Sequence, residues 1–246
     1  MAFSFGELKS GNPALRKAFS RPHAAYGSDV MTVSGTVNKT GILFLLLIAG
    51  GYLGWGPSGA PLMFLCLIVG FILALVISFK QNLAPALSPI YAIAEGVVLG
   101  SISSIAERAY PGIAMNAFLL TLSTMGLMLA LYHFKIIRAT PLFQKVVFFA
   151  TGAIMMTYLV DMVMGMFGHS VPYLNSASPI GIAISVGIVI VAALNLIMDF
   201  EVIHRGAQMG APKYMEWYGG FALIVTLVWL YLEILNLLSK LSSQQG

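Results

Sequence analysis

The chain of 246 residues is 59% hydrophobic and only 9% charged, with 13 Lys and Arg against 9 Asp and Glu and a formal net charge of +4. Soluble domains carry about 25% charged residues, and a mean hydropathy of +0.89 means more apolar surface than one aqueous core can bury, so the solvent is lipid. The basic residues form no stripe on a soluble face, which argues against a nucleic-acid partner, and the single cysteine, Cys66, rules out an intrachain disulfide and a zinc site built on paired cysteines.

In chain order, residues 1–35 are polar and hold Gly6, Gly11, Pro13 and Pro22 but no apolar run of signal-peptide type, so the first span is expected to be the insertion signal. Within this segment Leu15, Arg16, Lys17, Phe19 and Arg21 form a basic, partly apolar stretch suited to an anionic leaflet, in a cytoplasmic tail expected to be flexible. Seven runs then reach the roughly 20 apolar residues a span requires: 36–55, 60–79, 85–106, 113–133, 143–167, 179–200 and 218–241. Gly56-Pro57-Ser58-Gly59 and Tyr110-Pro111-Gly112 mark tight turns, and Gly210-Ala211-Pro212 sits in a longer late loop. A membrane domain over 36–241 and a short polar end over 242–246 follow.

Orientation comes from the basic residues. With the N-terminus cytoplasmic, every Lys and Arg lies inside except Arg108 and Lys240. This predicts an odd number of spans with the C-terminus outside. Small residues recur at four-residue steps, at Gly50 and Gly54 and at Ala92, Gly96, Gly100 and Ser104. Such spacing lets helix backbones approach closely.

Among the acids, Glu7 and Asp29 lie in the tail, Glu107 and Glu216 at span ends where water is expected, and Glu201 just past the sixth span. Glu95, Asp161, Asp199 and Glu233 fall within apolar runs. An ionised carboxylate at the centre of a span costs about 2.5–3.5 kcal/mol even on the mildest scale, and such residues face the bundle interior and mark ion or proton paths. Helical spacing agrees. On the sixth span Gly181, Ser185, Ala192 and Asn195 share the face of Asp199, and on the seventh Gly219, Ala222, Thr226 and Trp229 share that of Glu233. Ala150, Thr157, Asp161 and Gly165 are expected to line the inner face of the fifth, and Ser88, Tyr91 and Glu95 that of the third. A carboxylate kept from water is either neutral and hydrogen-bonded or shares one proton with a second acid, and a proton-sharing pair is a pH switch. Its ionised form attracts hard cations, calcium rather than zinc or copper.

Two stretches carry a family resemblance: residues 193–201 (ALNLIMDFE) and 229–238 (WLYLEILNLL). They resemble the Bax inhibitor-1 family, also called the transmembrane Bax inhibitor motif family, which ends its sixth helix with an Asp and carries a related acidic motif in its last. Residues 31–40 (MTVSGTVNKT) and 210–218 (GAPKYMEWY) are similar to a bacterial branch of it, which points to a bacterial plasma membrane. The resemblance implies an all-α seven-helix bundle with the last helix central. It also implies a pH-sensitive calcium leak governed by one acid on each of the last two helices. By motif these are Asp199 and Glu233, which would also be the calcium ligands. Glu stands here where the family has Asp, and the spacing is longer because the segment from His204 to Trp217 is read as an extended loop. Asp199 then sits near the inner end of its span and Glu233 past the middle of its own. They meet only if the seventh helix begins late, near Phe221, or the sixth is kinked or shifted. Glu201 is a substitute partner, and Asn195, Glu95 and Asp161 are candidates to line the path.

The same residues bear on other functions. An intramembrane aspartyl protease lacks its Gly-x-Gly-Asp setting at Asp161 and Asp199, and no Ser and His are grouped as nucleophile and base, so no enzyme and no resident cofactor are expected. A regulatory membrane protein acting on a protease or survival pathway, and a proton-coupled transporter, are the alternatives to a leak.

Overall fold

The computed structural model describes residues 30–56, 59–169, 171–172, 174 and 176–244. The expected basic stretch from Leu15 to Arg21 lies outside them. Seven helices are long and apolar enough to cross a membrane. They are α1 (Val33–Trp55), α2 (Gly59–Phe79), α3 (Ala84–Ala109, preceded by a 3-10 turn Gln81–Leu83), α4 (Ile113–His133), α5 (Pro141–Met166), α6 (Pro179–Gln208) and α7 (Met215–Ser242). The caps explain the starts. Thr32, Thr140 and Ser178 each accept from the backbone N–H three residues on, and Pro141 and Pro179 occupy first-turn positions where a missing N–H costs nothing.

The observed spans match the predicted ones except at the end of α6. That helix continues through His204 to Gln208, so the loop before α7 is short, and α7 starts at Met215 rather than near Phe221. No glycine or proline interrupts the segment after Asp199 until Gly206, which is why the helix runs on past the apolar stretch. Asp199 therefore lies well inside α6, not at its mouth.

α7 is the central helix and packs against α1, α3, α4 and α6, while α5 leans mainly on α6 and faces outward. Its large exposed side chains, such as Phe148, Phe149 and Met156, suit lipid. The small-residue steps meet each other. Gly50 and Gly54 of α1 lie against the Ile93 and Val97 carbonyls of α3, and Gly96 and Gly100 of α3 lie against the Leu47 and Gly51 carbonyls of α1. A side chain at any of the four would meet backbone, so glycine is required there by the close approach. The Ser101 hydroxyl adds a bond across this seam to the Gly54 carbonyl at 3.1 Å.

The start of α1 and the α2–α3, α4–α5 and α6–α7 connections share one end of the bundle, where Lys80, Lys135, Arg138, Arg205 and Lys213 lie. At this basic end Glu216 departs from expectation: it is 1% exposed rather than solvated. Its carboxylate accepts from the Thr32 backbone N–H at 3.0 Å and the Thr32 hydroxyl at 2.8 Å, and pairs with Lys213 at 3.0 Å. Beside it the Met31 N–H donates to the Ala211 carbonyl at 2.7 Å. The two stretches read as motifs, 31–40 and 210–218, thus form one knot, and the first of them is already helical from Val33. Hydrogen bonds to a charged group contribute about 1.5–3 kcal/mol each, and Glu216→Ala would strand the Thr32 N–H. It is expected to lower unfolding stability by about 3 kcal/mol and to speed hydrogen exchange at residues 31–36, whereas Lys213→Ala, which removes only the half-exposed partner, should change both little.

Candidate functional site

The seam between α6 and α7 holds the two favoured acids, and heptad spacing sets their register. On α6, Ser185, Ala192, Asp199 and Gly206 recur at seven-residue steps; on α7, Gly219, Thr226, Glu233 and Lys240 do the same. A seven-residue step turns a helix almost two full turns, so each series is a stripe. One bond sets the register of the antiparallel stripes, the Lys240 ammonium donating to the Ser185 hydroxyl at 2.7 Å, and the Thr226 hydroxyl faces the Asp199 carboxylate in the same register. In that register Glu233 stands at the level of Ala192, one heptad from Asp199, or about 10 Å along the axis. Ala192 is fully buried.

Glu233 is 5% exposed. Its Oε1 accepts from the Tyr158 hydroxyl of α5 at 2.6 Å and from the Trp229 indole N–H, one turn back, at 3.0 Å. Among the described residues its Oε2 and the Asp199 Oδ2 are buried without a hydrogen-bond partner. Each acid is thus held by one oxygen and leaves the other free. No hydrogen bond joins the two carboxylates among the described residues. The expected direct proton-sharing contact is replaced by two acids facing one seam a heptad apart. The depth difference persists: α6 runs on past Asp199 and α7 starts early, at Met215, and the two acids stand one heptad apart along the seam.

The other candidates divide. Asn195 donates to the Thr151 hydroxyl at 2.8 Å and pins α5 to α6. Glu201 accepts from the Tyr132 hydroxyl of α4 at 2.9 Å and pairs with Arg205 one turn on. It faces α4 rather than Asp199, so it is not the substitute partner. It lines a cavity of about 1140 Å³ at the basic end that Asp199 does not line. Asp161 accepts from the Val171 N–H at 2.8 Å and braces the connection after α5. Glu95 faces α2, where a Cβ on Gly70 would lie 2.9 Å from its Oε2. Of the predicted α5 face, Ala150 and Asp161 are partly buried while Thr157 and Gly165 are exposed, and Thr151 and Tyr158 turn inward in their place. No group of three or more His, Cys, Asp or Glu gathers among the described residues.

Lys240 escaped sequence reasoning, which put it outside the membrane. It is 5% exposed, and its ammonium also donates to the Leu174 carbonyl at 2.5 Å. The signal that finds it is the heptad step from Thr226 through Glu233. It fixes a positive charge one step beyond Glu233 on the same stripe.

No curated protein and no solved structure matches the chain at a significant level. A family model described as "Bax inhibitor 1 like" matches residues 12–243. That match covers nearly all of the membrane domain with its seven spanning helices, and the chain belongs to the Bax inhibitor 1 like family of membrane proteins.

Proposed function

We propose that the protein is a pH-sensitive cation leak, with calcium as the ion it passes and Asp199 and Glu233 as its sensor. One observation carries this: two acids on a single interhelical seam each keep one buried oxygen free of any hydrogen bond among the described residues. Protonated, both are neutral and the seam stays packed. Ionised, they place two negative charges about 10 Å apart, which repel by about 2 kcal/mol at an effective dielectric of about 20. That is enough to couple the two without contact. The same charges offer oxygen ligands to a passing cation, and calcium accepts such ligands in flexible geometry. Two carboxylates are a foothold for an ion in transit, far short of the six to eight oxygens of a calcium cage.

The charge asymmetry puts the basic end in the cytoplasm, with the N-terminus inside a bacterial plasma membrane. Enzymatic chemistry has little support. Ser185 and Lys240 are spaced like a nucleophile and its base, but at 1% and 5% exposure no substrate reaches them. The function is tested by calcium flux into liposomes holding the purified chain, from about pH 5 to about pH 8. Flux is expected to rise with pH and not to saturate. A saturable uptake driven by the proton gradient would favour a coupled transporter, and no flux at any pH, with a stoichiometric protein partner, a regulatory role.

A further inference from the structure

The cavity of about 1140 Å³ at the basic end lies between α1 and α4 and is floored by Leu223 and Leu227 of α7. Its deep wall is apolar, with Phe44 from α1 and Leu122, Met125 and Leu129 from α4. α1 and α4 touch through the stacked rings of Phe44 and Phe118, centroids 6.3 Å apart, but share no long packed stretch, so the trough is a gap left between two spans. Lys135 and Arg138 stand at its mouth. Both are exposed, and among the described residues neither has an acidic partner within salt-bridge distance.

Lys135 is held there by an unusual backbone. Its φ is +56°, the only positive value outside glycine among the described residues. The Ile136 N–H donates to the Leu131 carbonyl at 2.9 Å and the Lys135 N–H to the Tyr132 carbonyl at 3.0 Å. This is the helix-ending turn whose left-handed residue is usually glycine or asparagine. Lysine stands where the fold alone favours glycine, and residues kept in such conformations concentrate at ligand sites.

We infer that this trough is a binding site for one anionic phospholipid, with an acyl chain between α1 and α4 and the phosphate against Lys135 and Arg138. Charge complementarity selects the occupant. An apolar trough between membrane spans takes an acyl chain from any lipid, but a mouth carrying two unpaired cations takes an anionic headgroup, and each Lys or Arg at a membrane surface contributes about fivefold in partition toward anionic lipid. The site is separate from Asp199 and Glu233 and does not rest on their function; Glu201 of α6 also lines it, with its charge paired to Arg205.

The test uses the full chain in phosphatidylcholine nanodiscs with a phosphatidylglycerol carrying a photoreactive group in its acyl chain. Crosslinks are expected on Phe44, Leu122 and Met125. Excess unlabelled phosphatidylglycerol should abolish them, phosphatidylcholine should compete about thirtyfold less well, and soluble glycerol phosphate should not compete. Lys135→Gly relieves the left-handed strain, so its melting temperature should hold or rise while the lipid preference falls about fivefold; adding Arg138→Gln should remove the rest. Met125→Trp should block crosslinking with both charges in place. Equal competition by the two lipids, an unchanged preference in the folded double variant, or full competition by glycerol phosphate would overturn the assignment.

Discussion

Replacing Asp199 by Asn is expected to cut calcium flux at the alkaline end of a pH series by on the order of tenfold or more and to flatten its pH dependence. Asparagine has the same shape and keeps an oxygen for the Thr226 hydroxyl, so the helix seam is preserved. It carries no charge at any pH. A cation about 4 Å from a carboxylate gains roughly 4 kcal/mol at an effective dielectric of about 20, so a tenfold loss is a modest share of what is removed. Glu233→Gln is built on the same logic, since the amide oxygen still accepts from Tyr158 and Trp229. Because the ionised acids repel by about 2 kcal/mol across the heptad that separates them, the double variant should depart from the product of the single effects. Dye-loaded liposomes read the flux directly. If both single variants leak with the wild-type slope, the seam is structural and the proposed sensor is wrong.

Gly96→Val is expected to cost about 3 kcal/mol or more, or to prevent folding. Its Cβ would fall on the Leu47 carbonyl of α1, and the atoms behind it are the Gly50 Cα and the Gly51 nitrogen. These are backbone atoms that no rotamer change can move aside, so the two helices must separate and take the Ser101 bond to Gly54 with them. Gly126→Ala is the control. Nothing lies within 4 Å of a Cβ at that position, and a mid-helix alanine is favoured over glycine by about 1 kcal/mol. Unfolding in mild detergent should separate the two variants clearly.

The seven spans were legible in the sequence because lipid imposes a length and a composition that no neighbour can override, whereas the central place of the last helix was implied only by the family resemblance. The glycine steps were legible as spacing, but not their partners, since such steps occur in many spans and only the fold shows Gly50 and Gly96 meeting. The end of α6 was misread because polarity rises after Phe200 while helix continuity does not depend on polarity. That one misreading displaced Asp199 toward the membrane surface, while the offset between Asp199 and Glu233 that it suggested is present in the fold as one heptad. Lys240 and Glu216 were misplaced for a related reason. A charge near a span end reads as solvated, yet Lys240 turns back to Ser185 and Leu174, and Glu216 turns to Thr32. Long side chains choose their direction by the partners the fold supplies, and those partners are distant in sequence.

The knot at the basic end also orders events during synthesis. Thr32 and Glu216 are 184 residues apart, so at roughly 5–20 residues per second the first helix waits about 10–40 s for the acid that fastens its beginning. Until the last helix has left the ribosome, the Thr32 N–H has no Glu216 carboxylate to receive it. The seam glycines of α1 find their partners on α3 much earlier. Assembly therefore starts as a close-packed pair of early helices and is fastened at the opposite end of the chain, by the same helix that carries Glu233. A nascent chain halted before α7 would hold the first half of the bundle together while leaving its entry unfastened.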